Sequence, residues 1–207
     1  MIKSILLVTC LVAGVEDGGK NPSALLERAQ KAFLKGDEKE LRACLGVSSK
    51  KREKLLVRSA LLARALGKIH KVGRKKFGDF AYAESLGKAS FLLTMVTSPF
   101  GLLNEDLKNF KVKKNGEEAI ARMTQTAKPF SLSQSIGLHR SEGRWYLGRK
   151  KEKAPPKGVK KALKAAEAFA RAAASVVKSC KDGSSFKERM KPIVKKLEMT
   201  VRKARRP

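Results

Sequence analysis

The apolar residues of this 207-residue chain change their period twice, and that constrains the fold more than any other feature. Up to about residue 109 they recur at helical spacing. From Phe110 they alternate with period two, and after Lys153 they return to steps of four and three. Helices, strands and helices in separate runs are the pattern of an α+β protein, not of alternating βαβ units.

The opening is punctuated clearly. Asn21 is a good N-cap with Pro22 at the first helical position, and Leu25, Leu26, Ala29, Phe33 and Leu34 form one apolar stripe. Gly36 stops that helix. Asp37 caps a short second one that buries Leu41, Cys44 and Leu45, with Glu40 completing a capping box. A third helix runs from about Ser49 to Phe77, with Leu55, Leu56, Ala60, Leu62, Ala63 and Leu66 as its apolar positions. Gly67 and Gly73 weaken its second half and are where it can kink or break. Beyond it, Phe80 to Met95 is apolar and alanine-rich, and Ser98-Pro99 forces a break. Asn104 to Phe110 can form one more short capped helix.

Four antiparallel strands follow. Phe110 to Lys114 and Glu117 to Thr124 flank Asn115-Gly116, the strongest short hairpin signal. Residues 130–138 alternate large residues with Ser and Gly, Ser141-Glu-Gly143 turns the chain, and Arg144 to Arg149 returns. Trp145 and Leu147 share the inward face. Ser131, Ser133 and Ser135 form either an exposed sheet face or the lining of a polar groove.

Residues 150–158, with Ala154-Pro-Pro-Lys-Gly158 at their end, read as a stiff linker after a domain spanning 22–149. Residues 159–206 form a helical hairpin. Val159, Leu163, Ala166, Ala170, Ala173, Val177 and Cys180 make a helix–helix seam. After the turn Asp182-Gly-Ser-Ser185, a capping box of Ser185 and Glu188 starts a second helix. Phe186, Met190, Ile193, Leu197, Val201 and Ala204 repeat the seam there, and Pro192 kinks this helix or marks its true start. Such a hairpin can pack on itself or dock on the sheet.

Residues 1–14 read as a signal peptide: Lys3 supplies a positive start, Ile5 to Ala13 is apolar, and Val12-Ala13-Gly14 suits cleavage near Gly14. The run is shorter than the roughly 20 residues that span a bilayer. On this reading the protein is exported, periplasmic or secreted. If the segment is instead a buried first strand, the protein is cytoplasmic. Removal of Cys10 with the signal leaves Cys44 and Cys180, either a disulfide or two buried thiols.

Charge is the anomaly. With 47 Lys and Arg against 19 Asp and Glu the net charge is +28, which attracts any polyanion. Residues 150–207 carry 19 of those cations against 5 acids. The clusters Lys150, Lys151 and Lys153, then Lys160 and Lys161, then Arg202, Lys203, Arg205 and Arg206 lack balancing acids and form the expected polyanion-binding residues. Phe169 and Phe186 lie on or near the seam, so base stacking is not expected, and any nucleic acid would be bound without sequence preference. The expected partner is an anionic polymer or a membrane surface.

Three features in order carry a resemblance: the first helix ending in Phe33-Leu-Lys-Gly-Asp37, the late strands, and the closing Glu142-Gly-Arg-Trp-Tyr-Leu147. Together they resemble the cystatin-like cone fold of the nuclear-transport-factor-two-like superfamily, specifically its exported, uncharacterised members, across residues 22–149. The resemblance implies early helices covering a curved sheet, and a pocket, without fixing a chemistry. A long third helix and the C-terminal hairpin lie outside that core pattern.

Enzymes with that fold place an acid, base or His inside the cone, and Asp79, Tyr82 and His139 are the nearest candidates for such a pocket. Each also has a plain reading: Asp79 as a helix cap, Tyr82 as half-buried packing, His139 pointing to solvent beside Arg140. No Ser-His-Asp set, phosphate loop or metal-ligand spacing accompanies them. The expectation is a non-enzymatic protein with no catalytic residue, no metal and no cofactor.

Overall fold

A computed structural model of the protein describes residues 18–47, 49–123, 135–148 and 158–205. Within these the chain forms α1 (Pro22–Lys35), α2 (Glu38–Ala43), α3 (Lys50–Phe77), α4 (Asp79–Leu86) and α5 (Lys88–Thr97). Two 3-10 turns (Phe100–Asn104 and Leu107–Asn109) lead into β1 (Phe110–Asn115), β2 (Glu118–Met123), β3 (Ser135–Ser141) and β4 (Arg144–Leu147). Helices α6 (Val159–Ser179) and α7 (Gly183–Arg205) complete it. The fold is α+β, with helices packed on a curved antiparallel sheet that stays open.

Local signals set the element ends. Asn21 Oδ1 accepts from the Ala24 amide at 2.9 Å, and Gly36 ends α1 in the left-handed region at φ 77°. Asp37 caps α2 by accepting from the Glu40 amide at 3.0 Å, but the reciprocal half of the expected box is absent. The Glu40 carboxylate pairs with Arg28 instead, because α1 lies alongside. In the C-terminal hairpin, Asp182 is the cap, not Ser185. Its two oxygens accept from the Ser185 amide and hydroxyl, each at 2.9 Å, so α7 starts three residues earlier than a Ser185 cap would place it. Glu188 pairs with Lys191 at 3.4 Å. Exposed Pro192 lies inside α7 and does not mark its start.

The sheet is a simple meander in the order β1-β2-β3-β4. In the first hairpin Asn115 pairs with Glu118, so the turn residues are Gly116 and Glu117, one position later than the Asn-Gly pair suggests. The second turn uses Glu142 and Gly143, both at positive φ (49° and 79°), the backbone twist that joins adjacent strands most directly. Ala119, Ala121, Ile136, Leu138, Trp145 and Leu147 line the buried face.

Both outer edges of the sheet are managed. Gly19 bridges to Trp145 and Leu45 to Leu147, which caps the free side of β4 with two short segments. Exposed Lys111, Lys113 and Lys114 stud the β1 edge, and charge of that kind discourages pairing with another strand.

Two separate cores result. One joins α1, α2, the 3-10 turns and the sheet, with Phe33, Leu103 and Trp145 at its centre. The other joins α4, α5, α6 and α7 around Tyr82, Phe186 and Met190. Helix α3 serves both: Val57, Ala60 and Ala63 face the sheet side, while Leu62 and Leu66 face the helical layer. The apolar positions of α3 therefore form two stripes, about 120° apart on the helix. Accordingly the terminal hairpin docks on α3, α4 and α5 and not on the sheet.

α3 runs unbroken through Gly67 and Gly73 because both glycines are places of close approach. A Cβ at Gly73 would collide with the Tyr82 ring; at Gly67 it would meet the Asn104 carboxamide. Tyr82 is locked in the core, whereas Asn104 is exposed and can swing away at the loss of its bonds to the Ala63 and Gly101 carbonyls, 3.2 and 3.1 Å. Gly73→Ala should therefore destabilise by roughly 1–3 kcal/mol through overpacking. Gly67→Ala should stay within about 1 kcal/mol of neutral, its clash offset by helix propensity. Urea unfolding of both variants checks this, and equal losses would refute it.

Candidate polyanion interface

Residues Lys150, Lys151, Lys153 and Arg206 lie outside the described residues, as do the 1–14 segment, Ser131 and Ser133. Arg205 ends α7, and its side chain is outside the described set. Lys160, Lys161, Arg202 and Lys203 are all exposed. The fold brings these four toward one end of the hairpin, because Gly158, just before α6, packs directly against the Ala204 carbonyl.

The stronger feature is a row of cations of which the adjacent-charge clusters include only Lys160. Lys160, Lys164, Arg171 and Lys178 are exposed and follow one another at intervals of four, seven and seven. At 100° per residue they fall within an arc of about 40°, and at 1.5 Å per residue the row is about 27 Å long. It lies on the side of α6 away from Leu163, Ala166, Ala170 and Ala173, which are buried. Its sequence signal is a heptad-spaced set of cations facing away from the seam, a weaker pattern to the eye than a run of adjacent charges.

Acids do not interrupt the row. Glu167 is the one carboxylate in α6, and Arg58 of α3 holds it by two bonds of 3.0 and 2.7 Å. At the far end, the Lys76 ammonium donates to the carbonyls of Val177 and Lys178 at 2.9 and 3.2 Å. That caps the negative end of α6 and adds another cation beside Lys178.

α3 is itself a reservoir of charge, with 11 Lys and Arg against one acid. Arg58 and Arg64 of this set act structurally, Arg58 on Glu167 and Arg64 on the end of α1. Glu53 pairs with Arg42 at 2.6 Å, and Arg64 donates to the last carbonyls of α1 at 2.9 and 3.1 Å. Beyond these, Lys68, Lys71, Arg74, Lys75 and Lys76 are all exposed.

The three pocket candidates are not brought together. Asp79 begins α4 with its side chain 85% exposed, 3.8 Å from Arg74. Its neighbour Gly78 holds the N-cap position, with no side-chain cap bond. Tyr82 is fully buried in the helical core, not half-buried: its ring stacks on Phe186 (5.5 Å between centroids) and meets His70 edge-on. Burial pushes its phenol above the usual value, opposed by the charge of Arg74.

His139 belongs to the other half of the molecule and corrects the expectation of solvent exposure. It is buried in β3, next to Tyr146, and its Nδ1 donates to the Gly148 carbonyl at 3.2 Å. The chain at Gly46, held by the Leu45–Leu147 bridge, covers the ring so closely that a Cβ there would lie 2.6 Å from Cε1. A strand end next to a turn is exposed only if nothing else crosses it.

Between helices and sheet a cavity of about 30 Å³ remains, lined by Leu45, Leu56, Pro99, Phe100, Leu103, Ile136, Leu147 and Gly148. That is room for about one water molecule. None of Asp79, Tyr82 or His139 lines it. A larger open groove of about 520 Å³ runs between α1 and α2, with Glu27, Asp37 and Glu40 facing Arg28, Lys31 and Lys35. Among the described residues no group of His, Cys, Asp and Glu is placed to hold a metal, and no helix is long and apolar enough to cross a membrane.

Cys44 and Cys180 are buried thiols that are not joined by a disulfide, one in each core. The disulfide reading is thereby corrected: the hairpin reaches the helical layer and not the α2 region.

No family model, curated protein or solved structure matches this chain.

Proposed function

We propose that this is an exported, non-enzymatic protein that binds an anionic polymer or surface through its basic C-terminal hairpin. The straight row of Lys160, Lys164, Arg171 and Lys178 on the solvent face of α6 carries the reading. A row of exposed cations with its local acid neutralised gains affinity for a polyanion by releasing condensed counterions, with no need for base recognition. The cone-like resemblance stays within the proposal, supported by the early helices that cover one face of an open sheet. Support for a non-enzymatic role comes from the packing: Tyr82 and His139 are occupied in separate halves of the molecule. A cytoplasmic nucleic-acid-binding protein is the alternative, and N-terminal sequencing of native material separates the two, since a start near Val15 fits export alone. An isomerase- or dehydratase-like cone enzyme finds no support in the 30 Å³ apolar cavity.

The test is a salt titration of binding to heparin and to duplex DNA. It compares the full protein with a variant in which Lys160, Lys164, Arg171 and Lys178 are all changed to Gln. Each lost phosphate contact lowers the log–log salt slope on duplex DNA by about 0.9, so the slope should fall by up to about 3.6. An unchanged slope would place the binding charge elsewhere and remove the basis of the proposal.

A further inference from the structure

The α3–α4 corner combines two properties that one kind of anionic partner uses together. Phe80, in the first turn of α4, is 83% exposed, the most exposed large apolar side chain among the described residues. Single exposed apolar residues are common, so exposure alone means little. What distinguishes Phe80 is its surroundings.

Immediately before it, the last turns of α3 present Arg74, Lys75 and Lys76. The α6–α7 turn lies next to the same corner, because Gly183 packs against Ala81 and Lys76 bonds the last carbonyls of α6. That turn brings exposed Lys181 close by. Every acid at this end is already engaged. Asp79 faces Arg74 and Glu84 pairs with Lys187. Asp182 is held by the amide and hydroxyl of Ser185, bonds that keep its carboxyl below the usual range.

The corner is also firmly backed. Phe77 stacks on Phe186 at 4.4 Å with an interplanar angle of 15°, and Tyr82 stacks on the other side of the same core. Phe80 therefore projects from a rigid support and not from a loose loop. A projecting aromatic ring within a collar of cations fits an anionic bilayer, where cations meet the headgroups and the ring enters the acyl boundary. An acidic polysaccharide or a base-paired duplex offers no apolar layer to receive the ring.

We infer that the α3–α4 corner is a membrane-contact tip, with Phe80 inserting into an anionic lipid surface and Lys75 and Lys181 engaging its headgroups. The inference rests on the polyanion reading and names the anionic partner as lipid. Insertion of one aromatic ring strengthens partitioning through buried apolar area, and each nearby cation adds to it only on charged membranes.

Vesicle co-sedimentation tests it, using neutral phosphatidylcholine beside an equal mixture of phosphatidylcholine and phosphatidylglycerol, with heparin binding measured in parallel. The wild-type protein should bind the mixed vesicles and not the neutral ones. Phe80→Ser should weaken that partition about tenfold and leave heparin binding unchanged. Phe80→Trp should retain partition and add a blue-shifted emission on the mixed vesicles, beyond the signal of buried Trp145. Heparin binding without vesicle binding would overturn the lipid assignment and leave the polyanion reading standing. The lipid assignment falls equally if Phe80→Ser partitions like the wild type or Phe80→Trp shows no shift. Failure to bind either heparin or vesicles would overturn both.

Discussion

A chain ended at Gly148 will lose its cooperative unfolding transition, bind a dye specific for exposed apolar surface, and aggregate at concentrations where the full protein is soluble. From the sequence, such a truncation looks harmless, because a Pro-Pro segment separates the hairpin from the strands. The packing says otherwise. α6 and α7 cover Leu62, Leu66, Tyr82, Leu86 and Leu93, which are nearly inaccessible in the folded chain. Exposing five such side chains, at about 1.5–3 kcal/mol each, costs on the order of 10 kcal/mol. That equals the entire stability of a typical domain. Calorimetry and dye binding on the shortened chain would settle the matter. A sharp transition and no dye binding would show that residues 18–148 fold alone and that the second core is dispensable. For the same reason, deleting the hairpin is a poor control for charge, and side-chain neutralisation on α6 is the better one.

Stability should also fall as the pH drops from about 6.5 to about 4, and His70 should account for a large part of the loss. His70 lies edge-on to Tyr82 at 5.5 Å, and burial, reinforced by the charge of Arg74, lowers its pKa from the ordinary 6.5 to about 4. In that interval the unfolded chain takes up a proton that the folded chain refuses. The contribution is therefore complete above about pH 6.5, declines as the pH falls, and levels off below about 4. A shift of this size corresponds to at most about 3 kcal/mol. Urea unfolding between pH 4 and 7.5 should show the decline in the wild type and a much flatter profile in His70→Phe, whose ring keeps the contact with Tyr82. Parallel profiles would mean that carboxylates alone govern acid unfolding.

Much of the fold is legible in the sequence because its signals are local. The Asn21, Asp37 and Gly36 boundaries, the two hairpins and the seam residues of α6 and α7 each depend on neighbours within a few positions. Sequence and structure part where two distant segments meet. Gly67 and Gly73 read as helix breakers because periodicity does not reveal their partners, Asn104 and Tyr82. His139 reads as exposed because nothing in its own strand reveals that the chain near Gly46 crosses it. Asp182 and Ser185 are both good capping residues, and only the observed helix start decides for Asp182.

The candidate interface divides in the same way. Its net charge and its concentration in the last 58 residues are facts of composition. Its shape is not. The 27 Å row on α6 exists as a surface only because the opposite side of that helix is committed to α3 and α7, and because Arg58 neutralises Glu167.

By itself the sequence determined the α+β class, the helices and hairpins, and a large positive charge, since period, caps and composition act locally or additively. Tertiary structure alone decided that α3 serves two cores, that the hairpin docks on helices, and that Phe80 projects among cations. Those outcomes depend on which apolar faces meet across long separations, and burial of one face fixes which charges remain in water.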